Sequence, residues 1–433
     1  MPILQLAKAQ LLRLRQSELA ANTAKLFMGQ GLRFLIRAVY FILIARSLGP
    51  KEYGAFVAMT SLVAIAAPFA GFGSPMVLLK YVSRDRSVLP VNWGNGLLTI
   101  GISGSLLTLL VLAISPFFLG RDFFFLTILV CLSDLLMTRV ADLAAFAFAA
   151  LGQMGEAARI NVYTTLSRLV GIVAVSTITR HPDVKEWTIA YTIGSAACFV
   201  YAFIRTTIAA RGIQVRPREA WSSLPESSLF AVNLCSATIY NDIDKTMVGK
   251  LASFTATGIY GAAYRIIDVS LVPVQALLSA AYPEFFRQGV GGAPATRRYA
   301  YRLISRAAPV GMIVTAGLLL GAPLVPHILG RNYVSSVEAL RWLAVIPFLR
   351  SIHIFLADGL TAAGHQISRT FVQVGVGVMN VVLNIFFIRA WSWRGAAWSS
   401  ILCDATLAIL LWTVLYYLAS SKEKTLVAES VSM

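Results

Sequence analysis

Charged side chains lie inside some of the most apolar stretches of this chain. Eight of its 37 Lys and Arg residues fall in segments long and apolar enough to cross a membrane. An ionised side chain at the centre of a bilayer costs about 2.5–3.5 kcal/mol on insertion scales, so each cation needs a partner or a route to water. The eight are Arg33, Arg37, Arg139, Arg168, Lys245, Arg265, Arg341 and Arg350.

Arg33 and Arg37 lie four residues apart, so a helix places them on one face as like charges. No acidic residue lies in the surrounding apolar stretch, 22–46. A guanidinium donates two parallel hydrogen bonds to phosphate or carboxylate oxygens and keeps its charge at physiological pH. We therefore predict a cationic cavity for an anionic substrate. Its candidate residues are Arg33, Arg37, Arg168, Arg350 and Lys245.

Four aspartates within or beside the apolar stretches allow two interpretations. An aspartate there neutralises a nearby cation in an ion pair, or it titrates and couples transport to a proton or Na⁺ gradient. Arg139 and Asp142 lie three residues apart, as do Arg265 and Asp268, so each of these pairs is expected to interact. The four aspartates are Asp134, Asp242, Asp244 and Asp404.

Asparagines add uncharged polar positions to the apolar stretches. Asn380 and Asn384 lie four residues apart and share one face of a helix. Such amides either form hydrogen bonds between helices or contact the hydroxyl groups of a sugar. The candidates for sugar contacts are Asn22, Asn233, Asn380 and Asn384.

No catalytic or metal-binding pattern accompanies these residues in the sequence. The four cysteines are far apart in apolar runs, and the four histidines lack metal-ligand spacing. Gly249-Lys250 lacks the earlier glycine and the following Ser or Thr of a phosphate-binding loop. We predict no catalytic residue, no metal, no cofactor and no enzymatic activity, with an H⁺ or Na⁺ gradient as the candidate energy source.

The composition sets the environment of these side chains. Hydrophobic residues make up 57% of the 433 residues and charged residues 13%, whereas a soluble domain carries about 25% charged residues. A soluble globular protein and a disordered chain are both excluded, so a polytopic membrane protein remains. The net charge of +17 would suggest nucleic acid in a soluble protein, but here membrane orientation and the cationic cavity account for it. We predict no nucleic acid partner.

Twelve apolar stretches are each long enough for a transmembrane helix. We predict an all-α polytopic membrane protein with two pseudo-symmetric lobes of six helices, at 21–210 and 228–420. A basic amphipathic cytoplasmic segment is expected at 1–20, a cytoplasmic loop between the lobes at 211–227, and a cytoplasmic tail at 421–433. The predicted spans are 22–46, 54–79, 93–119, 122–150, 158–179, 187–210, 228–249, 258–282, 303–329, 337–360, 370–389 and 395–419.

The other 29 Lys and Arg residues, which lie in the loops or towards the ends of these spans, predict the orientation. With the N-terminus in the cytoplasm, inside segments hold 20 of these cations and outside segments hold 9. Cytoplasmic loops carry the excess of Lys and Arg, so both termini are expected in the cytoplasm.

A weak internal repeat indicates how the two lobes are related. Tyr53-Gly54-Ala55 opens span 2, and Tyr260-Gly261-Ala262 opens span 8 at an offset of 207 residues. Trp187 and Trp393 open spans 6 and 12 at an offset of 206. Six helices per repeat leave both lobes in the same orientation, so we expect alternating access by rocking of the lobes around the substrate.

The order of several motifs resembles one family along nearly the whole chain. They are Arg33 and Arg37 followed by Phe41–Phe56, Phe72-Gly73, Asp244-Lys245 followed by Thr257–Arg265, Asn380–Asn384, and Arg394–Ala397. These motifs resemble the bacterial polysaccharide and O-antigen flippases of the multidrug/oligosaccharidyl-lipid/polysaccharide exporter superfamily. The loop at 389–394 reads RAWSWR and departs from the pattern of the family.

The resemblance implies a V-shaped, two-lobed transporter in the bacterial inner membrane. Its implied activity is translocation of a polyprenyl-diphosphate-linked oligosaccharide from the cytoplasmic to the periplasmic leaflet, for O-antigen, capsule or exopolysaccharide. The cationic cavity would hold the diphosphate and sugars. Cavities in this family are rich in Arg and Lys, and Arg33 and Arg37 are the residues that match this feature best. The implied partners are this glycan, membrane lipids, and a polysaccharide polymerase with chain-length machinery.

Two other classes of function remain open. A multidrug exporter of the same superfamily is the nearest rival, but it would move cationic drugs and should present acids rather than arginines. A lipid II flippase or another lipid-linked-precursor exporter is another relative, but about twelve spans leave no room for the extra pair expected of a lipid II flippase. A membrane polysaccharide polymerase or ligase should carry a large periplasmic catalytic loop, but the predicted outside loops reach only about ten residues.

Overall fold

The computed structural model describes residues 2–179, 182–222 and 242–431, with side-chain positions for residues 31–179, 182–222 and 242–421. Every regular element in these ranges is helical. Helix α1 (Pro2–Ala66) is the longest, and it kinks at Gly49, whose φ of 68° lies in the left-handed region that glycine tolerates. Pro50 follows at the kink and removes one backbone donor from the helix.

Short helical turns interrupt the helices of the N-terminal half. A 3₁₀ turn (Ala67–Phe69) ends the first apolar run, and a π-helical turn (Leu132–Met137) joins α4 to α5. The helices are α2 (Ser74–Arg84), α3 (Leu89–Leu119), α4 (Phe124–Cys131), α5 (Thr138–Ala150), α6 (Met154–Ile178) and α7 (Val184–Ala209).

A capped turn fixes the entry into α3. The Asp85 carboxylate accepts a hydrogen bond from the backbone N–H of Ser87 at 2.9 Å. This bond, together with one from the Ser87 hydroxyl, lowers the pKa of Asp85, because both favour the ionised carboxylate. Asp85 therefore holds the turn at neutral pH and orients the first residues of α3.

The C-terminal half continues as helices joined by breaks of a few residues. Residues 242–251 are helical and precede the numbered helices. These are α8 (Phe254–Ser270), α9 (Val272–Gly289), α10 (Gly292–Gly321), α11 (Val325–Leu329), α12 (Val334–Leu343), α13 (Ile346–Ala362), α14 (Gln366–Trp391) and α15 (Trp393–Val431).

The helices confirm an all-α, multi-pass membrane protein. Seven helices of the described residues are long and apolar enough to cross a membrane, and three bent pairs bring the number to ten. One bent pair, at 31–84, covers the predicted span 54–79 and residues 31–46 of the predicted span 22–46. Most of the predicted span 228–249 lies outside the described residues.

The chain divides into two compact units. Unit 1 comprises Met1–Phe41 and Ala66–Val232, and unit 2 comprises Ile42–Ile65 and Asn233–Met433. Residues 42–65 of α1 therefore belong to unit 2, a division that hydropathy alone does not indicate.

Each unit has its own apolar core built around small residues. In unit 1, Trp93 of α3 and Phe148 of α5 are fully buried among alanines of α5 and α6. In unit 2, Phe285 of α9 and Phe355 of α13 are buried beside leucines of α15. Small residues let these helices approach closely, which is how helices associate where lipid supplies no hydrophobic drive.

Two glycines of unit 2 permit a tight crossing of the second half of α1 with α8. A Cβ added at Gly54 would overlap the carbonyl oxygen of Phe254, and a Cβ added at Gly258 would overlap that of Pro50. The two contacts are reciprocal, so both backbones meet without an intervening side chain. The crossing joins the first YGA motif, which contains Gly54, to the helix that carries the second one.

We expect Gly54→Ala to destabilise the protein strongly. The new methyl group would meet backbone rather than a flexible side chain, so the two helices must separate, at a cost of about 3 kcal/mol. The fall in melting temperature of the purified protein in detergent micelles measures this cost.

Gly375→Ala is the matched control for this prediction. Gly375 lies in α14 of the same unit, and a Cβ there would meet nothing within 4 Å. The control should leave stability unchanged or raise it by about 1 kcal/mol, since alanine is the better helix former. Equal melting temperatures for the two variants would contradict the crossing.

Candidate functional site

The predicted cation Arg168 lies at the centre of a polar cluster in unit 1. Its Nη2 donates to Oδ1 of Asp134 at 2.8 Å, across the gap between α6 and the π-helical turn. The Tyr191 hydroxyl donates to the same carboxylate, at 2.7 Å from Oδ1. The Tyr191 ring also lies under the guanidinium, with 4.0 Å between the ring centroid and Cζ. Arg168 is therefore neutralised by a carboxylate and stacked on an aromatic face.

Hydroxyl groups complete the hydrogen bonding of Arg168. Its Nε donates to Ser195 Oγ at 2.8 Å, and Nη2 donates to Thr138 Oγ1 at 2.8 Å. Ser133 Oγ lies 3.3 Å from Nη2 and donates to Ser195 at 2.6 Å. Satisfied donors of this kind make a charge tolerable in a low-dielectric interior.

The backbone places these groups in two ways. The π-helical turn inserts one extra residue and alters the backbone hydrogen bonding there. The backbone carbonyl of Asp134 accepts a hydrogen bond from the side-chain Nε of Arg139 at 3.3 Å. At Gly194 of α7, a Cβ would lie 2.8 Å from Cα of Arg168, so α6 and α7 approach closely there. This approach brings Ser195 within reach of the guanidinium.

Arg33 and Arg37 occupy a different environment in the same unit. Arg33 is half-buried, and its Nε is buried without a hydrogen-bond partner among the described residues. Arg33 interacts electrostatically with three charged side chains, those of Asp142, Arg168 and Arg139. Arg37 is exposed. Asp142 forms an ion pair with Arg139, as the three-residue spacing predicts, with 3.3 Å between Oδ2 and Nη1.

Unit 2 carries a second polar cluster around two aspartates before α8. Asp244 is fully buried and accepts from the hydroxyl of Tyr260 in α8. The same hydroxyl lies 2.9 Å from Ser400 Oγ of α15. Lys245 Nζ lies 2.9 Å from Asp242 Oδ1 and 3.8 Å from Asp244 Oδ1. Lys245 therefore has two carboxylate neighbours on its own helical segment.

Arg350 and Asp404 form the other half of this cluster. Arg350 Nε lies 3.6 Å from Oδ2 of Asp404, which is fully buried in α15. His353 Nε2 lies 2.9 Å from Oδ1 of the same carboxylate. Arg350 Nη1 also lies 3.8 Å from Asp268, so Asp268 faces Arg350 in addition to its predicted neighbour, Arg265. Arg265 interacts electrostatically with Tyr53 and Asp268.

Tyr264 lies between the two cationic groups of unit 2. Its ring centroid lies 4.8 Å from Lys245 Nζ and 5.9 Å from Arg350 Cζ. The ring therefore separates two like charges and attracts both through its quadrupole.

Asn380 and Asn384, which lie on one face of α14, are buried. Asn384 Nδ2 donates to Asn380 Oδ1 at 2.9 Å, and Asn380 Nδ2 donates to Ser399 Oγ at 3.4 Å. Asn380 is 1% exposed and Asn384 is fully enclosed. Asn380 therefore bonds to a neighbouring helix, Asn384 bonds to Asn380 on its own helix, and both are buried in this conformation. The side chain of Asn22 and all of Asn233 lie outside the described residues.

Several members of these clusters escape sequence reasoning. Tyr191, Tyr260 and Tyr264 are in apolar helices and read there as membrane-facing or core aromatics. His353 follows Arg350 by three residues, but its carboxylate partner lies on another helix. Only helix packing brings these groups together.

One family model matches the chain over residues 19–288, and its description is polysaccharide biosynthesis protein. A curated relative from Haloferax volcanii, described as the probable low-salt glycan biosynthesis flippase Agl15, is 22% identical over 409 residues. This alignment covers 91% of the chain and 82% of the relative.

Two solved structures have the same fold. An inward-facing multidrug resistance MATE transporter of the MOP superfamily superposes with a TM-score of 0.73 at 17% identity, over 91% of this chain and 96% of its own. The lipid II flippase MurJ, in an inward closed conformation, gives 0.71 at 12% identity, over 92% and 87%. These likenesses establish the fold.

We expect Asp134 and Arg168 to be strongly coupled in stability. Either Asp134→Asn or Arg168→Gln alone leaves one buried charge without its partner and should cost about 3 kcal/mol. The double variant should recover much of this loss. A double-mutant cycle of unfolding in a denaturing detergent measures the coupling.

The ion pair of Arg159 and Glu156 supplies the matched control cycle. Arg159 is bonded to Glu156 at 2.6 Å, but its side chain is 64% exposed. Water screens this pair, so its coupling should stay below about 1 kcal/mol. Equal couplings in the two cycles would show that the Arg168 cluster is not a buried charge network.

Proposed function

Because the chain belongs to the polysaccharide biosynthesis protein family, whose model matches residues 19–288, we propose that it is a flippase for a lipid-linked glycan. The name of the Haloferax volcanii relative, a probable glycan biosynthesis flippase, supports this assignment. The proposed substrate is a polyprenyl-diphosphate-linked oligosaccharide repeat unit, moved from the cytoplasmic to the periplasmic leaflet. The product would feed O-antigen, capsule or exopolysaccharide synthesis.

The state of Arg33 carries this proposal. Arg168, Lys245 and Arg350 each hold a carboxylate, so their charges are already balanced. Arg33 keeps a buried Nε without a partner among the described residues, and Arg37 lies on the same helical face. A guanidinium with a buried nitrogen that has no hydrogen-bond partner favours an anion as ligand, and a diphosphate matches its donor geometry.

A multidrug exporter is the second candidate, because the inward-facing MATE structure shares the fold. Cationic drugs require acids that remain available to the ligand. The membrane-embedded aspartates Asp134, Asp244 and Asp404 are instead engaged by arginine, lysine, tyrosine or histidine. Because these aspartates already interact with other side chains, an anionic substrate is favoured over a cationic drug.

The energy source belongs to the same proposal. We propose coupling to an H⁺ or Na⁺ gradient through one of Asp134, Asp242, Asp244 and Asp404. Asp404 is the strongest candidate, because it contacts both a permanent cation, Arg350, and the imidazole of His353. Binding of H⁺ or Na⁺ at Asp404 would change the charge balance of this triad, and such a change is what biases a two-state transporter.

The cellular setting follows from the substrate. The protein would lie in the bacterial inner membrane with both termini in the cytoplasm, where lipid-linked repeat units are assembled. A polysaccharide polymerase and chain-length machinery would act on the translocated product.

We expect Arg33→Ala and Arg37→Ala each to reduce flipping at least about tenfold, since a lost charge-assisted contact to phosphate is worth roughly 1.5–3 kcal/mol. Arg37→Lys should restore activity only in part, because lysine cannot bind two oxygens in parallel. Transfer of a labelled polyprenyl-diphosphate sugar between leaflets of proteoliposomes measures the rate.

Arg341→Ala is the control for these variants. Arg341 is an exposed cation of α12 outside the candidate set, and its loss should leave flipping unchanged. Wild-type flipping by both Arg33→Ala and Arg37→Ala would contradict the cationic site. Expulsion of a cationic dye, without movement of the labelled sugar, would support the drug-export function instead.

For coupling, we expect Asp404→Asn to abolish the stimulation of flipping by an imposed H⁺ or Na⁺ gradient, because the variant removes the charge between Arg350 and His353. Asp358→Asn is the control, since Asp358 is a buried aspartate of the same unit, paired with Arg369 at 2.8 Å and outside the candidate set. The measurement is the flipping rate in proteoliposomes with and without each gradient. Full stimulation in the Asp404 variant would remove Asp404 as the coupling residue.

A further inference from the structure

A cleft of about 360 Å³ opens in unit 1, away from the charged cluster of Arg168. Its walls are the first turns of α3, one side of α2, and the segment 216–222 that follows α7. The predicted orientation places these residues at the cytoplasmic end of the unit. A volume of this size lies within the range of sites for small ligands.

The wall formed by the segment after α7 is fixed to α3 by backbone contacts. Gln214 N donates to Pro90 O at 3.1 Å, and Arg216 N donates to Asn95 Oδ1 at 2.8 Å. A Cβ at Gly94 would overlap the Gln214 carbonyl oxygen, so only glycine permits this approach. The cleft is therefore a built feature rather than a gap between loops.

Uncharged polar groups line one face of α3 in the cleft. Asn92, Asn95 and Thr99 recur at the spacing that keeps them on one side of the helix. Asn92 Nδ2 donates to Val88 O at 2.9 Å and Asn95 Oδ1 accepts from Arg216 N, so each amide uses one end within the described residues. The Asn92 oxygen and the Asn95 amide nitrogen stay available to a ligand.

The wall formed by α2 adds a second unsatisfied group. Ser74 Oγ is buried and has no hydrogen-bond partner among the described residues. A buried hydroxyl without a partner is costly, and a ligand hydroxyl would satisfy it. Tyr81, 40% exposed, places an aromatic ring on the same wall beside Val77 and Leu78.

The charge of the cleft excludes a phosphate as its preferred ligand. Arg216 and Glu219 are the charged residues in its lining, and they pair with each other at 3.0 Å. The cleft is therefore close to neutral, in contrast to the face that carries Arg33 and Arg37. Neutral amides, hydroxyls and one aromatic ring suit a ligand with many hydroxyl groups and apolar C–H faces.

We propose that this cleft is a carbohydrate-binding subsite, which holds one or two sugar units of the glycan on the cytoplasmic side of unit 1. The inference rests on the proposed function for its physiological ligand, but the sugar binding itself does not require transport. The substrate would then meet two chemically distinct sites, a cationic one for its diphosphate and a neutral one for its sugar.

The test uses the full-length protein in phosphatidylcholine nanodiscs without sugar detergents. The probes are the methyl glycosides of glucose, galactose, mannose and N-acetylglucosamine, and saturation-transfer NMR detects their binding. At least one glycoside should bind. Asn92→Leu should weaken that binding about five- to tenfold, the change that the loss of one hydrogen bond produces.

Asn161→Leu is the matched control for the NMR test. Asn161 in α6 makes the same type of bond, from Nδ2 to the carbonyl four residues earlier, at 3.0 Å, but it lies outside the cleft. Tyr81→Ala supplies a second variant on the opposite wall and should also weaken binding. Glycoside binding that is unaffected by Asn92→Leu and Tyr81→Ala, or the absence of any glycoside binding, would overturn the subsite.

Two further measurements identify the ligand class and separate the two proposals. Displacement of the glycoside by inorganic pyrophosphate, or by adding phosphatidylglycerol to the nanodiscs, would overturn the carbohydrate subsite in favour of an anion or lipid headgroup site. Arg33→Ala should leave glycoside binding unchanged while it reduces flipping. Glycoside binding in a protein that fails to flip any lipid-linked sugar would sustain the subsite and refute the flippase assignment.

Discussion

The cost of holding a charge inside a membrane is the constraint on which the rest of this structure depends. An arginine there is stable only with a counter-charge and enough acceptors for its donors. Arg168 meets this requirement through Asp134 and three hydroxyl groups, and Arg350 has two carboxylates as counter-charges, Asp404 at 3.6 Å and Asp268 at 3.8 Å. Each unit thus contains one network in which buried cations face carboxylates, and Arg33, whose buried Nε has no partner among the described residues, becomes informative about ligands.

The backbone is adapted to this constraint at defined points. The π-helical turn at Leu132–Met137 exposes the carbonyl of Asp134 to Arg139, and the close approach at Gly194 brings Ser195 to Arg168. In unit 2, the glycine crossing of α1 with α8 brings Tyr53 near Arg265. The helix irregularities and the glycine contacts therefore allow the helices to pack closely, and they also position charged side chains.

The polar surfaces of unit 1 divide into three kinds with separate roles. The Arg168 cluster is charge-balanced, the face of α1 with Arg33 and Arg37 carries two cations, and the cleft at Asn92 and Asn95 is neutral and rich in amides. A diphosphate-linked sugar combines an anionic part with an uncharged polyhydroxyl part. Two surfaces of unlike chemistry in one unit match these two parts better than a single cationic cavity does.

Hydropathy and charge counts alone determined that the chain is an all-helical membrane protein, and motif order placed it in its family, because both properties are local. The same locality explains the Arg139–Asp142 pair, whose partners lie on one helix. Tertiary structure decided that Arg168 meets Asp134, that His353 meets Asp404, and that Asn380 meets Ser399 of a neighbouring helix. Such partners are separated by tens of residues, and helix periodicity predicts neighbours on the same helix only. The rotation of each helix about its axis, which packing sets, selects the partner across the gap.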